Sequence, residues 1–284
     1  MHLSAVALLA AVVVGTWNGN WFPSGRAEHR AHPDVEEATV AAAAKMLSAG
    51  LRAVDPQGTN DVILCLNEIR GPRVAADLVR RIGRPGLRVA VISGYRRRDR
   101  FDQQQDVVAT TLPVTDAHWS RWRAKGKRQP PRGYAFAAVV IEPAVTANVY
   151  AVHLKSNYGA KKPEVAAVCR ELRTAAVEQL VGLERPVRGR TPRPVIVAGD
   201  LNADRWRREF AAERIFDLLD GAGFANPLAE LPAGERGTHP SARYGDSALD
   251  YVLCRGVTAV GVPRIVANDG LSDHRAVFVL VTSP

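Results

Sequence analysis

DGLSDHRAVFVL (residues 269–280) sets two ionisable side chains, Asp273 and His274, directly ahead of an apolar, β-branched and aromatic run. The run reads as a strand. Charged groups at a strand mouth cost free energy unless they are solvated, paired or used. The same arrangement recurs along the chain, and its recurrence is what points to a fold.

Further strand-like runs lie at 11–17, 61–66, 87–93, 106–111, 134–142, 147–154, 195–201, 249–254 and 276–282. Helical patterns separate several of them. Residues 34–51 are Ala-rich with acids in the first turn and Gly50 near the end, and 73–82 stop at Gly83. Val165, Val168, Leu172, Ala176 and Leu180 mark one helical face within 163–183, and a further helix is expected over 206–219. Many of the strands are apolar on both faces, as in sheets covered on both sides. Two packed mixed β-sheets with helices outside satisfy that pattern. The Gly, Pro and Arg-rich stretches 112–133 and 184–194 read as long surface loops within one domain spanning 11–284.

The 284 residues can bury a full core, and 46% hydrophobic with 24% charged residues is an ordinary globular composition. Of the 38 basic residues 32 are Arg, and the net charge is +9, a balance that favours phosphate-bearing partners. Two of the three cysteines, Cys65 and Cys254, sit inside apolar runs, and no zinc-ligand spacing occurs. Residues 1–10 read either as an export signal, which would send the chain to the periplasm or outside, or as an N-terminal extension of a cytoplasmic protein. No segment is expected to insert stably in a membrane, and a monomer is expected.

Polar residues fall where strands stop. GTWNGN places Asn18, CLNEIR places Glu68, and AVHLKSN places His153, Lys155 and Asn157. VIVAGDLNAD places Asp200 and Asn202, two apart and so on one face of an extended segment, and SALDYVL opens a strand with Asp250. Singly, each has a plain reading as a turn former, a structural histidine or a solvated acid. Together they describe a convergent polar site.

Those motifs, in this order from TWN (16–18) to SDH (272–274), resemble the endonuclease/exonuclease/phosphatase superfamily, which includes deoxyribonuclease I, abasic-site endonucleases, sphingomyelinases and inositol-polyphosphate phosphatases. The resemblance implies a four-layered α/β sandwich and a divalent-metal-dependent phosphodiesterase using Mg²⁺ or Mn²⁺. It implies Glu68 as main metal ligand, with Asn18 and Asp273 nearby. His274 would be general base or phosphate-polarising group, held by Asp250. Asp200 would orient water or assist the leaving group, and Asn202 would donate to a phosphate oxygen. His153 matches the second histidine of the deoxyribonuclease-like branch, with Asp99 or Asp102 as its acidic partner. Lys155 and Asn157 would contact phosphate.

The run RWRAKGKRQPPR (121–132) holds Arg121, Arg123, Lys125, Lys127 and Arg128 beside Trp119 and Trp122. Basic residues among aromatics suit a nucleic-acid strand, and a solvated basic loop is the alternative. Thr238, His239 and Arg243 read either as cleft lining or as a turn. The expectation is a nuclease acting on DNA or RNA, with a phospholipid or small phosphate ester as the alternative substrate. A binding protein without activity is a third reading, and none of the expected ligand positions is eroded.

Overall fold

The computed structural model of the protein describes residues 11–25, 32–97, 100–101, 104–157, 159, 162–185, 191–243 and 245–283. The proposed signal at 1–10 and both candidate partners of His153, Asp99 and Asp102, lie outside them.

The elements run β1 (Ala11–Phe22), α1 (Pro33–Val54), β2 (Asp61–Ile69), α2 (Pro72–Arg81), β3 (Arg88–Ile92), β4 (Arg96–Arg97), β5 (Arg100–Phe101), β6 (Gln105–Thr110) and β7 (Val114–Arg121). There follow β8 (Gly133–Glu142), β9 (Val145–His153), α3 (Pro163–Leu183), β10 (Val195–Asp200), α4 (Ile215–Gly221), β11 (Asp250–Arg255), β12 (Thr258–Val266) and β13 (Ala276–Thr282). A six-stranded sheet has the order β12-β13-β1-β2-β6-β3, and a five-stranded sheet the order β11-β10-β9-β8-β7. Helices α1, α2 and α3 each carry proline in the first turn, where a missing N–H costs nothing.

The strands alternate between two apolar environments. Val12, Val14, Ile63, Cys65, Val277 and Val279 face the five-stranded sheet, while Val13, Trp17, Leu64 and Phe278 pack under α1 and α2. Ala176, Val177, Leu180 and Ile215 from α3 and α4 cover the other side of the five-stranded sheet. The result is a four-layered α/β sandwich, and it explains why the strands read as apolar on both faces.

Three regions differ from the sequence reading. Residues 114–121 of the expected loop form the edge strand β7. The helix expected at 206–219 is broken into a 3₁₀ turn, Arg208–Phe210, and the short α4. Strand β12 was not anticipated. Gly50 also does more than approach a helix end, because α1 continues to Val54. A Cβ at Gly50 would lie 2.0 Å from the Phe278 ring, which is fully buried. Helix α1 therefore reaches the sheet through a contact that only glycine admits.

Gly50→Ala sets a helix-propensity gain of about 1 kcal/mol against overpacking of about 1–3 kcal/mol. With Phe278 unable to withdraw, overpacking should win, and denaturant unfolding should show a net loss of stability. A variant as stable as the parent would contradict this packing.

Candidate active site

The sheet topology gathers the polar strand ends. β1 and β2 are parallel, as are β9 and β10, so Asn18, Glu68, His153 and Asp200 lie at carboxyl ends. Strands β13 and β11 run antiparallel to β1 and β10, which brings His274 and Asp250 to the same edge from their amino ends. Crevices beyond the carboxyl ends of parallel strands are where open α/β sheets bind ligands. Asp250, Asp200 and His153 form one rung across the five-stranded sheet, facing Asn18 and Glu68 of the six-stranded sheet.

Glu68 is aimed by irregular backbone. The ladders slip between Asn18 and Phe22 and between Leu66 and Ile69, and Glu68 itself has φ 59°. Such a conformation costs about 1–3 kcal/mol for a non-glycine residue and persists where the surroundings enforce it. Here the Trp21 N–H donates to Glu68 Oε2 at 3.0 Å, and Asn18 Nδ2 donates to Glu68 Oε1 at 3.3 Å and Asp200 Oδ2 at 2.9 Å. Asn18 Oδ1 accepts the Asn20 N–H, so the amide presents its nitrogen to the carboxylates.

Asp200 and Asn202 meet by a turn, not by strand alternation. Strand β10 ends at Asp200, Asn202 has φ 53°, and its N–H donates to Asp200 Oδ1 at 2.8 Å. Asn202 Nδ2 donates to Asp200 Oδ2 at 2.9 Å and to the Leu154 carbonyl at 3.1 Å. Gly199 precedes them because a Cβ there would sit 1.9 Å from the Val152 carbonyl oxygen.

The SDH loop is tied down residue by residue. The Ser272 hydroxyl donates to the Asn18 carbonyl at 2.7 Å and accepts the His274 N–H at 3.0 Å. Trp17 Nε1, from a fully buried ring, donates to the His274 carbonyl at 3.2 Å. His274 Nδ1 lies 2.7 Å from Asp250 Oδ2, which also accepts the Thr238 hydroxyl at 2.7 Å. Thr238 thus orients the carboxylate that orients the imidazole, and His274 Nε2 is left facing Asp200 Oδ2 at 3.8 Å.

These surroundings drive the titratable groups apart. Burial opposes charge on His274, but the carboxylates of Asp250, Asp200 and Asp273 outweigh it and push the pKa up to about 10. Burial, reinforced by Arg132 and the positive His274 and Lys155, holds His153 well below 6.5 and neutral. Burial raises Asp200 to about 7. His153 Nε2 stands 3.5 Å from Asp200 and 3.7 Å from Glu68, and its Nδ1 has no hydrogen-bond partner among the described residues.

A second buried network was not foreseen. Asn67 Oδ1 accepts the Asp200 N–H at 3.1 Å, and Asn67 Nδ2 donates to Asp106 at 2.7 Å. Asp106, raised to about 7 by burial, also accepts the Tyr95 hydroxyl at 3.1 Å. Arg173, fully buried, donates to the Lys155 carbonyl and to Asn157 Oδ1 while paired with Glu213. Asn157 is thereby engaged by the protein, and Lys155 Nζ donates to the Ser156 carbonyl at 2.6 Å.

A profile of the Endonuclease/Exonuclease/phosphatase family matches residues 15–274. The chain belongs to that family. An endonuclease/exonuclease/phosphatase family protein from Leptotrichia buccalis C-1013-b superposes with a TM-score of 0.64 at 10% identity, covering 95% of this chain and 99% of that one. D. rerio TDP2 complexed with single strand DNA product gives 0.62 at 13% identity over 96% and 100%, and SmcL gives 0.58 at 13% over 96% and 99%. At these identities the likeness is one of fold. No curated protein matches the sequence significantly.

The donors present fit a divalent cation. Glu68, Asp200 and Asp250 are buried together at the seam, and Asp250 Oδ1 has no hydrogen-bond partner among the described residues. The positive imidazole of His274 stands beside them. Mg²⁺ keeps several waters and needs only a carboxylate or two from the protein, which Glu68 and its neighbours supply. Of the expected trio, Asn18 Nδ2 lies 3.3 Å from Glu68 Oε1, and Asp273 stands beside His274 in the SDH loop. The metal-capable groups among the described residues are Asp200/Asp250/His274 and His239/Asp273/His274, and Glu68 is in neither.

The basic run divides. Trp122 is buried in the core and cannot stack on a base, whereas Trp119 is exposed on β7, edge-on to Tyr95. Lys125 pairs with Glu178 and Arg128 with Glu171, both on α3, and the Arg123 N–H donates to Gln179. Arg121 lies over the Tyr95 ring and donates to the Arg96 carbonyl. It is placed opposite Gly133 of β8, two strands beyond His153 of β9.

The charge balance around His274 has a measurable consequence. Its folded pKa lies above the unfolded 6.5, so the imidazolium's contribution to stability is complete below pH 6.5 and is lost as pH rises through about 10. NMR titration of the ring should show it still protonated at pH 8, and Asp250→Asn should lower its pKa by more than about one unit. A wild-type ring titrating near 6.5 would contradict the arrangement.

Proposed function

We propose that the protein is a divalent-metal-dependent phosphodiesterase, a nuclease that hydrolyses DNA or RNA. The observation that carries the hydrolytic reading is the rung Asp250–Asp200–His153 facing Glu68 and Asn18 across the seam, with His274 hydrogen-bonded to Asp250. Mg²⁺ or Mn²⁺ at Glu68 would neutralise the non-bridging phosphate oxygens. A charged His274 suits the role of phosphate-polarising group, donating from Nε2 to the oxygens on which charge grows. Asp200, raised to about 7, suits the acceptance of a proton from the attacking water. Asn202 and Asn18 hold the Asp200 carboxylate in place through 2.9 Å hydrogen bonds.

A polymeric substrate is favoured by the continuation of that rung. Beyond His153 the same sheet edge carries Arg132, bonded to the His153 and Leu154 carbonyls, and then Arg121 on β7 with Trp119 exposed nearby. Arg121 is three strand spacings from Asp200, roughly 14 Å at about 4.8 Å each. A small ester held at Asp200 does not reach it, whereas a phosphate chain does. D. rerio TDP2, which has a similar fold, was crystallised with a single strand DNA product, and this supports the reading.

Plasmid, single-stranded DNA, RNA, sphingomyelin vesicles and bis-p-nitrophenyl phosphate should be tested with Mg²⁺, Mn²⁺ and EDTA. Nucleic acid should be cleaved only with metal, and Glu68→Gln should nearly abolish cleavage without lowering the melting temperature. Arg121→Ala should weaken nucleic-acid cleavage several-fold and flatten its salt dependence, leaving the small diester nearly untouched. Lys125→Ala and Arg128→Ala should do less, since those cations are already paired on α3. Full turnover in EDTA would sink the metal role, and faster turnover of the lipid would replace the nuclease reading with the phospholipid one.

A further inference from the structure

His239 has no part in the chemistry above, yet it stands against its centre. Its N–H and carbonyl pair with Ser247 at 2.8 and 3.0 Å, and the neighbouring Thr238 is the residue that fixes Asp250. The Arg275 N–H donates to the Thr238 carbonyl at 2.6 Å, which locks this turn to the SDH loop. The His239 ring is thereby held edge-on to the His274 ring, with centroids 4.8 Å apart.

Three potential ligand atoms converge there. His239 Nε2 lies 3.7 Å from Asp273 Oδ2, and His274 Nε2 lies 3.9 Å from Asp273 Oδ1. One ligand atom from each of the three residues falls within 4.8 Å of the others. Both stand-off distances exceed a hydrogen bond. They approach the separation of about 3.4 Å expected between ligands of a tetrahedral ion with bonds of about 2.1 Å. The two imidazoles thus flank the two oxygens of one carboxylate at distances that a cation could bridge.

We propose that His239, Asp273 and His274 form a second divalent-cation site, selective for Zn²⁺ or a similar imidazole-seeking ion over Mg²⁺, and that filling it withdraws His274 from the phosphate. Imidazole nitrogens favour Zn²⁺, whereas Mg²⁺ prefers oxygen. His274 is prepared for ligation because Asp250 holds its Nδ1 and leaves Nε2 between Asp200 and Asp273, at 3.8 and 3.9 Å, the outer-shell arrangement typical of metal-bound histidines. Access is open, since the side chains of His239 and Asp273 are 29% and 51% exposed. With three protein ligands, a fourth position remains for water or an anion.

The binding claim is independent of the proposed reaction, while the inhibitory consequence rests on it, and the experiment separates the two. Zn²⁺ binding is measured by equilibrium dialysis, and Co²⁺ binding by visible absorption, on Glu68→Gln protein, which lacks the carboxylate proposed as the main Mg²⁺ ligand. One equivalent should bind. Adding His239→Phe, which keeps a ring against His274, should weaken binding at least about tenfold, since even outer-shell partners are worth 10–100-fold. In the wild-type chain, ¹⁵N NMR should show Zn²⁺ shifting both the His239 and His274 rings, a readout that needs no variant to fold. With saturating Mg²⁺ and a small diester, the Zn²⁺ concentration for half-inhibition should rise at least about tenfold in His239→Phe. No binding to Glu68→Gln, unchanged binding on adding His239→Phe, or unshifted rings would overturn the site. Binding as described in a protein that hydrolyses no phosphodiester would leave the site standing and defeat the phosphodiesterase reading.

Discussion

The 2.7 Å contact between His274 Nδ1 and Asp250 Oδ2 joins the mouth of β13 in one sheet to the first residue of β11 in the other. Both groups are buried, and removing one partner of such a pair costs about 3–5 kcal/mol because the other is left charged and unpaired. The contact therefore constrains how the sheets meet. It also directs Nε2 of His274 toward Asp200, so the same bond that holds the seam together orients its chemistry.

Much else at the seam follows from that constraint. Asn18 and Asn67, both from the six-stranded sheet, donate to and accept from Asp200 of the five-stranded sheet. The carboxylates gathered here repel one another in a place where water screens little, and the chain answers by splitting the two imidazoles. His153 is neutral and His274 charged. The positive φ of Glu68 and Asn202 adds conformational strain that the packed sheets on either side must hold.

The polar strand ends were legible in the sequence because β-branched runs stop at them, and a run of period two betrays itself locally. What escaped was set by contacts distant in sequence. Asn67, Asp106, Tyr95 and Arg173 are buried only because the two sheets and α3 close over them. Strand β7 escaped because it is a polar edge strand with most of its residues exposed, so it lacks an apolar face. Strand β12 carries Gly261 and Pro263 beside a register shift, signals that argue against a strand and are tolerated only at a sheet edge. Trp122 stands among basic neighbours in the sequence, but the end of β7 turns it inward against Tyr134.

On the proposed function Asp250 and His274 act as one unit on a phosphodiester, and a double-mutant cycle tests this most directly. Hydrolysis of a small diester with Mg²⁺ would be compared for the wild type, Asp250→Asn, His274→Ala and the double variant. Each single change should lower kcat/KM by roughly 10²–10⁴-fold, and the double variant should be little worse than His274→Ala alone. Losses that multiply would mean that the two residues act independently, and the bond on which this account rests would have no catalytic meaning.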